Sequence, residues 1–186
     1  MKTPVMTKAG ASESNDRYST PAIIFHWILA ILIPILIGLG WYMLSIEEQP
    51  GSTWYFNLHK SLGLSVAVLV ALRLGWRIGH TPAEPPDTMA AWQTTAAKLS
   101  HALFYLLMLL MPISGYLGAS FSGDGVAFFG LPTPDWAAKN DVLKENLFTA
   151  HSIIAWTLVS FIALHILAAF KHLWVDKDGV FQRMLP

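Results

Sequence analysis

Three observations predict that this 186-residue chain is an all-α integral membrane protein, a four-helix bundle with both termini in the cytoplasm. Four separate stretches are apolar over the roughly 20 residues a bilayer-crossing helix needs. Only 13% of the residues are charged, where soluble domains carry about 25%. Lys and Arg also gather in alternate connections, as they do on the cytoplasmic side of membrane proteins. The length suits one domain, divided into a disordered cytoplasmic tail over 1–20 and a transmembrane domain over 21–186.

The tail, MKTPVMTKAGASESNDRYST, is polar and lacks apolar periodicity, which predicts disorder. The first apolar stretch follows it and is too long for a cleavable signal. The predicted spans run over about 22–46, 55–78, 98–120 and 147–174. EEQPGST (47–53) forms a short polar turn between the first two, and the Pro-rich HTPAEPPD (80–87) with a short amphipathic lead-in joins the second to the third. The loop over about 121–146 holds Gly123, Gly125, Pro132 and Pro134 and reads as irregular, with one helical turn at most.

Orientation follows from the basic residues. Lys2, Lys8, Arg17, Arg73, Arg77, Lys98, Lys171, Lys177 and Arg183 fall on one side, Lys60, Lys139 and Lys144 on the other. The richer side is cytoplasmic. Trp27, Trp41, Trp54, Trp76 and Trp174 lie near predicted helix ends, where interfacial aromatics collect.

Composition also excludes functions. Zero formal net charge and a pI near 7.1 do not fit a nucleic-acid binder. The absence of cysteine excludes disulfides, thiolate-held iron–sulfur clusters and covalent C-x-x-C-H haem attachment.

The histidines carry the chemistry. Ionisable groups within a bilayer are costly and tend to be functional, yet five of the seven histidines lie in or at the edge of apolar helices. His151 and His165 are two heptads apart on the fourth helix. At about 100° and 1.5 Å per residue they share a face and stand about 21 Å apart, too far to share one ion. Alternating helix direction places His26 at the depth of His165 and His59 at the depth of His151. The expected couples are therefore His26–His165 on the inside and His59–His151 on the outside, each able to grip one haem iron as axial ligands.

Neighbouring positions fit this arrangement. Gly40, two heptads beyond His26, and Gly63, one turn beyond His59, would admit a flat macrocycle close to the backbone, or simply close helix packing. Arg73 follows His59 by two heptads and Arg77 comes one turn later; they could pair with inner propionates or act as positive-inside anchors. His172, one heptad beyond His165, and His101, with Lys98 just before it, could line a quinone pocket at the inner boundary; His80 reads as a surface residue. Leu158, midway between His151 and His165, predicts an apolar layer between the sites.

The sequence resembles a family through FHW (25–27), HKSLG (59–63), RLGWR (73–77), HALFYLLMLLMPISG (101–115), LHILAAFKH (164–172) and the closing DKDGVFQRMLP. In order and spacing these look like the bacterial cytochrome b561 family, over roughly residues 17–186. The resemblance implies a four-helix protein of the bacterial inner membrane with two non-covalent haem b groups, whose axial ligands are His26, His59, His151 and His165. It also implies electron exchange between the quinone pool, ubiquinone or ubiquinol, and a second redox partner, and it associates the position of His172 with the quinone site. One member of the family oxidises superoxide at the periplasmic face. Superoxide or a periplasmic redox protein is thus the expected donor, and the loop over 121–146 carries no motif that chooses between them. No catalytic residue is assigned. The alternatives are a haem-bearing anchor subunit of a larger dehydrogenase and a metal-ion transporter; the absence of intramembrane carboxylates and the wide histidine spacing weigh against the transporter.

Overall fold

A computed structural model of the chain describes residues 17–80, 84–86, 89–134 and 136–186, so most of the expected N-terminal tail lies outside the described residues. Four helices dominate: α1 (Thr20–Ser45), α2 (Ser52–Gly79), α3 (Ala91–Ser122) and α4 (Asp141–Lys171). All four are long and apolar enough to cross a membrane, α4 running on through a π turn, His172–Asp176. In lipid a segment must satisfy its own backbone hydrogen bonds, so an apolar stretch of this length becomes helix. Pro34 and Pro112 sit inside α1 and α3, a placement that transmembrane helices tolerate.

Helices α3 and α4 begin earlier than hydropathy predicts, and polar side chains explain the difference. Gln93 Oε1 accepts the Ala90 N–H at 2.9 Å, and Asn140 Oδ1 accepts the Leu143 N–H at 3.1 Å. Each satisfies an orphan donor of a first turn, so the helix extends past the apolar stretch. The amphipathic lead-in before residue 98 is therefore part of α3.

The bundle is held by α1 against α2, α2 against α3 and, most extensively, α3 against α4, while α1 and α4 barely approach each other along their backbones. Leu29, Leu36, Val66, Val70, Leu107, Met108 and Leu158 form the buried core. Val70 is 0%, Leu29 1% and Leu158 3% exposed, so the core is the layer midway along the helices that Leu158 marks. Outward apolar residues such as Ile31, Val68, Ile153 and Leu164 form a surface suited to acyl chains.

The α3–α4 loop is more ordered than expected. Ala127–Phe128 (β1) and Leu131–Pro132 (β2) form an antiparallel hairpin. Phe129 and Gly130 bridge it with φ of +47° and +87°, the two positive values a type I′ turn needs. Asn-Gly or Asp-Gly would have announced such a turn; Phe-Gly does not. The buried Ser61 hydroxyl accepts the Phe129 N–H at 2.9 Å and donates to the Asn57 carbonyl at 2.8 Å, tying the hairpin over the His59 end of α2.

The segment leading into α1 meets the C-terminal residues at the opposite end. Arg17 Nη2 donates to the Leu185 carbonyl at 2.7 Å, the Trp27 indole N–H to the Met184 carbonyl at 2.7 Å, and the Tyr18 N–H to the Arg183 carbonyl at 3.3 Å. Arg183 in turn donates to the Glu84 carbonyl in the α2–α3 connection.

Candidate haem sites

Two imidazole couples cross the bundle at two depths. His26 of α1 faces His165 of α4 with ring centroids 6.2 Å apart, and His59 of α2 faces His151 of α4 at 6.3 Å. Two imidazoles bound trans to one metal, with metal–nitrogen bonds of about 2.0–2.1 Å, bring their ring centres to roughly 6 Å. Both couples therefore have the separation that axial ligation of a single iron requires. The core residues Leu29, Val70 and Leu158 lie between the two couples.

The outer couple is the better defined. The His151 Nδ1–H donates to the Met111 carbonyl at 3.0 Å, with the Ser114 hydroxyl 3.3 Å from the same nitrogen. A carbonyl can only accept, so the proton sits on Nδ1 and Nε2 keeps its lone pair for a metal. This is the usual way a protein orients a metal-binding histidine. Opposite it, the buried His59 ring lies beside the Leu36 carbonyl of α1, with Nδ1 outside regular hydrogen-bond geometry.

Glycines make room for both rings. A Cβ on Gly40 would lie 3.2 Å from His59 Cε1, and one on Gly115 only 2.9 Å from His151 Cε1. Gly115 was not singled out from the sequence. Its signal was present, since it follows His101 by two heptads, as Gly40 follows His26. A Cβ on Gly63 would meet no atom within 4 Å, so no neighbouring helix packs against it and simple helix packing does not account for it.

At the inner couple Arg73 Nη2 approaches His26 Nδ1 at 3.4 Å. The Arg73 and Arg77 guanidinium carbons lie 5.7 and 5.8 Å from the Tyr105 ring centre, within cation–π range. Tyr105, one turn beyond His101 on α3, was likewise not anticipated; only the packing of α2 on α3 brings it under both arginines. His101 also reaches this site, its ring centroid 6.4 Å from that of His165. Lys98 is exposed on α3 and makes no hydrogen bond or ion pair among the described residues. His80 stacks on Trp76 at 3.7 Å, outside both couples. His172 is half-buried at the end of α4, with Nδ1 2.6 Å from Asp178 Oδ2.

The side chains present would fit haem: four imidazoles in two opposed couples, no thiolate, glycines beside the outer couple and guanidinium groups beside the inner one. Comparison with known proteins points the same way. The family model described as prokaryotic cytochrome b561 matches residues 17–186. Cytochrome b561 homolog 2 of Escherichia coli (strain K12) is 30% identical over 178 residues, 94% of this chain and 94% of its own length. Cytochrome b561 homolog 1 of the same organism is 29% identical over 92% of this chain and 98% of its own. A protein of Yersinia pestis named Probable superoxide oxidase CybB is 28% identical over 92% of this chain and 97% of its own.

Proposed function

Because the chain belongs to the prokaryotic cytochrome b561 family, we propose that it carries electrons through two bis-histidine b-type haems, one at each depth, between superoxide or another periplasmic donor and the quinone pool. Family membership and the four spans make it a multi-pass protein of the bacterial inner membrane that moves electrons across the bilayer with b-type haem. The two-haem reading rests on the two imidazole couples at 6.2 and 6.3 Å, separated by an apolar core layer.

Haem b, when bound, supplies a one-electron iron couple. His26 with His165, and His59 with His151, would hold its iron and leave no open coordination position, which favours outer-sphere electron exchange over substrate ligation. Leu29, Val70 and Leu158 keep water out between the couples. Arg73 and Arg77, arranged on Tyr105, are placed to pair with anionic propionates at the inner site. The positive-inside count favours the cytoplasmic side for that site and for both chain termini. Superoxide as donor is favoured by the similarity to the protein named Probable superoxide oxidase. His172 is read as the hydrogen-bonding group of a cytoplasmic ubiquinone pocket, with His101 and Lys98 of α3 as its further candidate lining.

A reduced-minus-oxidised visible spectrum of purified protein, with haem and protein both quantified, tests this reading. About two haems per chain are expected, from two couples each binding one iron; a colourless protein produced with ample haem refutes it. For the quinone reading, His172→Ala should slow stopped-flow reoxidation of the reduced haems by ubiquinone at least tenfold, the lower part of the range for losing a positioned proton donor. An unchanged rate moves the pocket elsewhere.

A further inference from the structure

Beyond Lys171 the chain leaves regular helix in a way that builds a polar device. The π turn His172–Asp176 is followed by Lys177 with φ of +51° and Gly179 with φ of +79°, and this reversal folds Asp178 back onto His172. Single π turns inside longer helices recur at functional sites. Asp178 Oδ2 stands 2.6 Å from His172 Nδ1, and Asp178 Oδ1 accepts the Val180 N–H at 3.1 Å. The two side chains are only 14% and 7% exposed. Partial burial works against ionisation of Asp178, but the Val180 N–H and the His172 ring outweigh it and hold this carboxyl below the usual carboxylate range. It is therefore a carboxylate at neutral pH, and the imidazole presents Nδ1–H to it.

That contact leaves Nε2 as the only atom of the ring able to exchange a proton. Its other facing charge is Asp176, 3.4 Å from Nδ1, and Asp176 is already paired with Lys171. On the neighbouring elements Arg17 is spent on the Leu185 carbonyl, and Arg183 reaches the Glu84 carbonyl. The same three donors, His172, Asp176 and Asp178, lie close enough to hold a cation. Both carboxylates, however, are engaged by protein donors.

We propose that Asp178 is the positioning residue of a proton-exchanging dyad, holding His172 by Nδ1–H so that Nε2 gives protons to a bound quinone, or takes them from a bound quinol. The proposal rests on the reading of His172 as part of the quinone pocket. Reduction of a quinone to a quinol consumes two electrons and two protons. Each electron, which the one-electron iron couple of haem b would supply, is matched by one proton that leaves His172 Nε2 for a quinone oxygen. Nε2 then regains a proton from cytoplasmic water. The Asp178 carboxylate stabilises the imidazolium that forms in each cycle and is not itself protonated, the division of labour found wherever a carboxylate backs a working histidine.

The test is the pH profile of reoxidation by ubiquinone in stopped flow, on haem-replete protein. Wild type should slow as pH rises. In Asp178→Asn that fall should move to lower pH by about one unit or more, because the carboxylate that backs the ring is gone, while the haem spectrum stays unchanged. Asp178→Glu should move the fall back toward the wild-type position. A profile in Asp178→Asn that superimposes on wild type overturns the dyad and leaves the quinone reading standing. Wild-type haem that ubiquinone does not reoxidise at any pH overturns both. Should Asp178→Asn lose its haem, the ¹⁵N spectrum of the wild-type His172 ring decides: the Nδ1–H tautomer supports the dyad and the Nε2–H tautomer overturns it.

Discussion

Substitution of His59 by alanine is expected to lower the haem-to-protein ratio from about two to about one, because in the proposed two-haem arrangement one opposed imidazole couple would hold each iron. His59 and His151 face each other at 6.3 Å. Removal of the His59 ring should therefore abolish outer-haem ligation. The inner couple lies about 21 Å away along α4, beyond the range at which substitutions usually couple, so the remaining haem should keep its reduced spectrum and its potential. A ratio that stays at two in His59→Ala overturns the pairing. His26→Ala is the matching substitution at the inner site, and it too should remove one haem. His101, at 6.4 Å from His165, stands almost as close to that ligand as His26 does. Should His26→Ala retain its inner haem, His26→Ala/His101→Ala would show whether His101 had taken the vacant place. The outer site has no third imidazole in contact, which makes His59→Ala the cleaner of the two measurements.

The second large effect is expected at a residue that binds nothing. A Cβ on Gly115 would come within 2.9 Å of His151 Cε1 and 3.0 Å of His151 Nδ1, closer than packed atoms tolerate. The His151 ring cannot move aside without breaking its hydrogen bond to the Met111 carbonyl, which sets both its tautomer and its angle. Gly115→Val should therefore weaken retention of the outer haem on the order of 10–100-fold, the usual cost of disturbing the groups that orient a metal-binding histidine. Titration of haem into the apoprotein, followed by absorbance, measures it. Affinity equal to wild type would show that α3 can retreat from α4 at this point. Gly63→Ala is an informative contrast, since its new methyl group meets no protein atom within 4 Å. Haem lost by Gly63→Ala would point to contact with the bound group, since the new methyl displaces no protein atom.

These two residues also mark the difference between what can be read along the chain and what cannot. His59 is visible in the sequence as an imidazole in an apolar helix, at a depth calculable from helix rise. Gly115 carries only the echo of a two-heptad spacing, and its importance depends on how closely α3 approaches α4. Tyr105 is a further example, an ordinary aromatic of α3 until α2 lays Arg73 and Arg77 across it. The 127–132 hairpin was missed because its turn uses Phe129 where Asn or Asp would have signalled it. The early starts of α3 and α4 were missed because hydropathy marks where lipid is, whereas Gln93 and Asn140 mark where the helix begins.

From the sequence alone came the four spans and the two depths of histidine. Lipid leaves the backbone no alternative to helix, and a helix turns residue number into height and direction at a constant rate. Tertiary structure alone decided which carbonyl holds His151, which glycines admit the rings, and that Asp178 folds back onto His172. Each of these depends on the rotation and separation of segments far apart in the chain, or on a reversal of positive φ at Lys177 and Gly179, and no local periodicity encodes either.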